Sequence, residues 1–167
     1  KRIIELSSKS YMNNTSLNDP YCDFDELLKN SEDIIVMSGT INGLIGNLFV
    51  KDQLSQIESI YKTLIKKFGN NFYIEIQRHG DQNEKYFENF NLSISYKHNI
   101  PIIASHEVFY INKDMYHAHE ALICIGTKTY LNDKNRRSYS DQHYLKPDQE
   151  MKDLFSDLPQ ALENNYN

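Results

Sequence analysis

His106 and Glu107 close the apolar run PIIASHEVFYI, from Pro101 to Ile111. An imidazole beside a carboxylate is raw material for a metal site or for general acid–base catalysis. Adjacent residues on an extended chain point to opposite faces, so the pair reaches a single ion only through a turn. A second stretch, YIEIQRHG, carries Glu75 inside a strand-like alternation and His79 just past its end. A carboxylate in a half-buried strand must be ion-paired, hydrogen-bonded or protonated, and structural and functional pairing are both open for Glu75. His79 is read first as an ordinary loop histidine, with ligation as the alternative.

Other chemistry-bearing stretches are weaker. YHAHEAL holds His117 and His119. On a helix, residues two apart diverge by about 200°, so one ring is expected to pack and the other to face solvent. SGTINGLIG has glycines at 39, 43 and 46, a spacing that matches neither G-x-G-x-x-G nor a P-loop. A turn after a strand accounts for it. There is no G-x-S-x-G elbow and no nucleophile–base spacing. Lys128, Lys134, Arg136, Arg137 and Lys146 lie among Tyr130, Tyr139 and Tyr144, a pattern able to touch a phosphate backbone, with Arg136 and Arg137 as the candidates. Asp133 and Asp141 dilute it, and a solvated linker is the preferred reading.

The elements that must position these groups follow from periodicity. KRIIELSSKSY reads as a helix already under way, MNNTSLNDPYC as a loop, and DFDELLKN as a short helix with Asp23 near its cap. DIIVMSG is almost continuously apolar, which predicts a strand buried on both faces, as in parallel sheets. TINGLIGNLF is a loop or short helix. In KDQLSQIESIYKTLIKKFG, Leu54, Ile57, Tyr61, Leu64 and Phe68 mark one helical face, and Gly69 sits at the C′ position. NFYIEIQ is a second strand. NEKYFENFNLSISYKHN is a helix with a stripe of Tyr86 or Phe87, Phe90, Ile94 and Lys97, ended by Asn99 and Pro101. PIIAS is a third strand, and NKDMYHAHEALICIG is a helix expected to stop at Gly126. After a polar irregular stretch, PDQEMKDLF and LPQALENNY are short helices opened by Pro147 and Pro159.

Strand and helix alternate, so the fold class is α/β with a parallel sheet or barrel. Three strands are few for this many helices, and further strands are expected upstream of Lys1, in a longer protein of which this is a piece. The 40% apolar content places the chain among globular domains. A net charge of −5 argues against a main nucleic-acid groove. Cys22 and Cys124 form no CxxC pair, which fits a reduced, cytoplasmic protein, and no run is apolar enough to span a membrane.

From PIIASHEVFYI through AHEALICIG, LNDKNRRSYS and LFSDLPQALENN, in that order and spacing, the chain resembles the α (catalytic) subunits of bacterial DNA polymerase III. IIVMSGTINGLIGNLF and FYIEIQRHG fit upstream. The resemblance implies that residues 1–125 are the later portion of a PHP (polymerase and histidinol phosphatase) domain and that 126–167 connect it towards the palm. It implies part of a distorted, seven-stranded, TIM-like β/α barrel followed by short helices. Polymerase aspartates, and the Mg2+ they hold, would lie beyond this segment, so no catalytic residue is expected here.

Metal-binding members of the family carry a cysteine after the LSG and an Asp-x-His after the last strand. Here those positions are Thr40, Glu107 and Phe109. A phenyl ring cannot ligate and a threonine hydroxyl replaces thiolate poorly, so a vestigial centre with no metal is expected. Glu75, His79 and His106 are the alternative ligands, for an active metal-dependent phosphoesterase or 3′–5′ exonuclease. The implied partners are the rest of the polymerase chain, a proofreading exonuclease and other replicase subunits, and DNA, with no membrane.

Overall fold

The computed structural model describes residues 1–12, 20–30 and 32–166. Most of the loop expected over MNNTSLNDPYC lies outside the described residues. Helices α1 (Arg2–Met12) and α2 (Phe24–Lys29) precede strand β1 (Val36–Met37). Helices α3 (Leu44–Val50) and α4 (Leu54–Phe68) lead to β2 (Phe72–Ile76), α5 (Glu84–His98) to β3 (Ile102–Ala104), and α6 (Tyr116–Thr127), α7 (Asp148–Leu154) and α8 (Pro159–Glu163) follow.

The strands form one parallel sheet in the order β1-β2-β3, with Val36 opposite Phe72 and Ile74 opposite Ile102. Parallel neighbours need a crossover, and the helical runs between them supply it. Each strand therefore ends at the same edge of the sheet. The residues after β1, β2 and β3, namely Thr40, His79 and the 105–109 loop, meet there.

The core sits between β2 and its covering helices. Ile57, Tyr61, Leu64 and Phe68 are the buried face of α4, at the predicted helical spacing. They pack with Phe72, Ile74 and Ile76 of β2, and Phe155 and Ala161 from the C-terminal helices join the same cluster. On α5 the buried face is Phe87, Asn91 and Ile94. Tyr86 and Lys97 of the expected stripe face outwards, and Lys97 pairs with Glu58 of α4 at 2.9 Å. The Tyr61 hydroxyl donates to Asn91 Oδ1 at 2.6 Å inside this layer. Gly46 lets α3 lie directly on the preceding turn, because a Cβ there would come 2.2 Å from the Ile41 carbonyl oxygen.

Two expectations need correcting. The DIIVMSG strand is short and not buried on both faces: Ile35 and Met37 are 67% and 50% exposed. It lies at the edge of the sheet, where one side has no neighbouring strand among the described residues. Helix α6 passes Gly126 and ends at Thr127, with Lys128 taking the left-handed cap at φ 55°. Glycine is permissive at a helix end but does not compel one.

The other edge of the sheet is covered. Asn164 Nδ2 donates to the Ile102 carbonyl at 2.8 Å and Asn165 Nδ2 to the Ala104 carbonyl at 2.9 Å, so side chains after α8 take the place of a next strand.

Candidate metal and acid–base site at the mouth of the sheet

His79 is held by its backbone before its ring is considered. Past the end of β2 the chain turns at Gly80 (φ 77°), a conformation that suits glycine. Glu84, in the first turn of α5, accepts the amide N–H of His79 at 2.9 Å and of Gly80 at 2.8 Å. Burial raises the Glu84 pKa, but hydrogen bonds from the His79 ring and from these amides outweigh it and leave the carboxylate below its ordinary range. This anchor sinks the imidazole, and His79 is only 2% exposed. The reading of His79 as an ordinary loop histidine is therefore overturned.

Two further imidazoles stack on it. His79 lies 4.5 Å from His106 and 4.1 Å from His143 between centroids, the latter pair within 6° of parallel. Phe109 covers the far face of His143 at 4.9 Å and stacks on His119 at 5.2 Å. The segment around 143 is tied across the mouth by backbone bonds: Phe109 N–H donates to His143 O at 2.9 Å and Leu145 N–H to Tyr110 O at 3.0 Å. Burial, and secondly the neighbouring His79, lower the His106 pKa to about 4. The same two causes lower that of His143, so both rings are neutral at pH 7.

The hydrogen bonds fix the tautomers. An amide can only donate and a carbonyl can only accept. Glu107 N–H donates to His79 Nε2 at 3.2 Å, so that nitrogen carries a lone pair. His143 Nδ1 donates to Glu107 O at 3.2 Å, and His106 Nε2 to Tyr144 O at 3.0 Å. This leaves His143 Nε2 and His106 Nδ1 buried without a partner among the described residues.

His79, Asp81 and His143 bring one donor atom each within 4.8 Å of one another, a possible metal-binding group. Thr40, Asp81 and Glu107 line one open groove with Arg137 and Tyr139. The structure thus brings Thr40, Glu107, Phe109, His79 and His106 to one place. Glu75 stands apart from the stack: Gln77 Nε2 at 3.3 Å and the Ser105 hydroxyl both donate to it. Its pairing is by hydrogen bonds, with no cation beside it among the described residues.

Arg136 and Arg137 part company. Arg136 turns inward onto Glu120, whose carboxylate also accepts from Ser138 Oγ at 2.6 Å and Tyr139 N–H at 3.2 Å. Arg137 lies over the Tyr139 ring at 5.1 Å and faces the groove. Of the H-x-H pair, His117 is exposed and His119 packs, as expected from helical geometry. Sequence reasoning missed His143, which sits in an irregular stretch without ligand spacing. It also missed Asp81, two residues beyond His79 in the same turn.

A family profile for the PHP domain matches residues 1–79. The α subunit of DNA polymerase III from Caulobacter vibrioides is 32% identical over 160 residues, 96% of this chain. Over nearly its whole length the chain is similar to DNA polymerase III α subunits. Those from Rickettsia bellii and Borreliella burgdorferi are 32% and 34% identical over 100% and 98% of this chain. In each case the match spans 14% of the relative's length. The α-subunit likeness therefore covers the whole mouth, from Thr40 through His143, while the PHP profile ends at His79. No helix among the described residues is long and apolar enough to cross a membrane.

Proposed function

We propose that the chain is the PHP part of a replicative DNA-directed DNA polymerase and serves there as scaffold and docking domain, with its metal centre lost. Near-complete coverage by α-subunit relatives supports the first half. The observation that carries the second is Phe109, whose ring stacks on His143 where the family pattern has a ligating histidine. Thr40, in place of the cysteine, lines the same groove.

On this reading residues 1–125 belong to the PHP domain and 126–167 lead towards the palm. The three strands are part of a distorted seven-stranded β/α barrel. Nucleotidyl transfer, with its Mg2+, takes place elsewhere in the longer protein. A proofreading exonuclease and other replicase subunits are the partners, DNA is the substrate of the whole enzyme, and the setting is the cytoplasm.

The second reading is a metal-dependent phosphoesterase or 3′–5′ exonuclease, favoured by the His79, Asp81 and His143 group. Metal analysis of the protein and a hydrolysis assay against phosphodiester substrates separate the two. The scaffold reading expects no stoichiometric metal and no hydrolysis that Glu107→Ala abolishes. Bound metal with Glu107-dependent hydrolysis would replace it with the second.

A further inference from the structure

We infer that the backbone N–H and C=O of Glu107, clamped between His79 and His143, occupy the His79 lone pair and fix the His143 tautomer, so that the mouth is held shut by a His–backbone–His staple. The inference rests on the metal-free reading of this mouth and supplies its physical cause. Loss of ligands at Thr40 and Phe109 explains a weak site. The staple explains why the donors that remain do not regroup around an ion.

The geometry argues it in three steps. His79 Nε2 already accepts the Glu107 N–H at 3.2 Å. Its ring proton is then on Nδ1, which lies 3.6 Å from the Glu84 carboxylate, and the ring has no second lone pair to offer. His143 gives its Nδ1 proton to the Glu107 carbonyl, leaving Nε2 as its open donor. Of the His79, Asp81 and His143 group, whose donor atoms lie within 4.8 Å of one another, that leaves two donors, where a zinc-type ion takes three or four protein ligands.

Ring orientation is the second step. Lone pairs lie in the ring plane, and the His79 and His143 planes are within 6° of parallel at 4.1 Å. An ion in line with one lone pair therefore sits about a ring spacing away from the plane of the other. Re-aiming either ring is the third step, and packing opposes it. His106 backs His79 at 4.5 Å and Phe109 backs His143 at 4.9 Å, so neither can turn without dismantling the stack. Glu107 thus acts through its main chain, while its side chain is half exposed and points at the groove.

The test is histidine nitrogen NMR on the chain labelled with 15N-histidine. His79 and His143 are expected to show a protonated Nδ1 and a bare Nε2 at pH 7. One equivalent of Zn2+ is expected to leave the His79 signals unmoved. Glu107→Gln keeps the backbone N–H and C=O and changes only an exposed carboxylate, so the tautomers are expected to persist in it. A proton on His79 Nε2 without zinc uptake would overturn the staple and leave the scaffold reading standing. Stoichiometric zinc on the His79 and His143 nitrogens, lost in Glu107→Gln, would overturn both.

Discussion

Replacing Arg78 by methionine should destabilise the fold substantially. Its guanidinium meets Glu88 of α5 with two parallel bonds, Nε to Oε2 at 2.9 Å and Nη2 to Oε1 at 2.6 Å. It also donates to the Leu154 carbonyl at 2.6 Å and to Asp157 at 2.7 Å, and it lies over the Phe155 ring at 4.8 Å. One side chain thus ties the end of β2 to α5 and to the turn after α7. The contributions are unequal. Arg78 and Glu88 side chains are 18% and 13% exposed, whereas Asp157 is 65% exposed. Breaking a largely buried pair from one side costs about 3–5 kcal/mol, and an exposed partner adds about 0–1 kcal/mol. Solvent still reaches the edge of this pair, so the lower end, about 3 kcal/mol, is expected for Arg78→Met. Asp157→Asn should cost about 0.5 kcal/mol. Arg78→Lys keeps the charge but not the fork, and should fall between them. Urea denaturation, comparing midpoints at constant slope, measures all three. The double variant Arg78→Met with Glu88→Leu should recover most of the loss, since it leaves no charge stranded. If Arg78→Met stays within about 1 kcal/mol of the parent, or Asp157→Asn matches it, the buried-pair reasoning is wrong.

Further outcomes follow from other contacts. Glu120 has a pKa below its ordinary 4.5: burial raises it, but bonds from Ser138, Arg136 and the Tyr139 amide prevail. A depressed carboxylate stabilises the fold above the unfolded pKa, so this contribution should be intact at pH 6–7 and lost as pH falls below about 4.5. Limited proteolysis between 128 and 140 should then accelerate, and Glu120→Gln should show the same fast cleavage at pH 7. Asn164→Ala and Asn165→Ala each leave a β3 carbonyl without its side-chain donor, at a cost of about 1–3 kcal/mol by thermal or urea unfolding. Gly46→Ala places a methyl against the Ile41 carbonyl and should cost about 1–3 kcal/mol, visible as a lower urea midpoint.

How much of this was legible beforehand depends on the range of the interactions. The α4 face and the alternation of β2 are written in local periodicity, and both appear, except that Leu54 at the start of the expected α4 stripe is exposed. The DIIVMSG run misled because apolar character records what a segment can bury, not whether a neighbour is there to bury it. The meeting of Thr40, Glu107 and Phe109 could be anticipated, since parallel strands deliver their loops to one edge. His143 could not: it arrives through the pairing of Tyr110 with Tyr144, more than thirty residues apart in sequence, which no spacing announces. Arg136 shows the converse. Its place in a basic run suggested an outward role, yet Glu120, on the preceding helix and read only as part of that helix, draws it inward.

The asparagines beyond α8 give the sheet a direction of growth. Two carboxamides already hold the main-chain oxygens at the β3 flank, and any incoming strand would have to evict them. At β1 no such plug exists among the described residues. A strand added to this sheet would therefore dock from the β1 side, and pairing along β3 would require the C-terminal residues to swing away first.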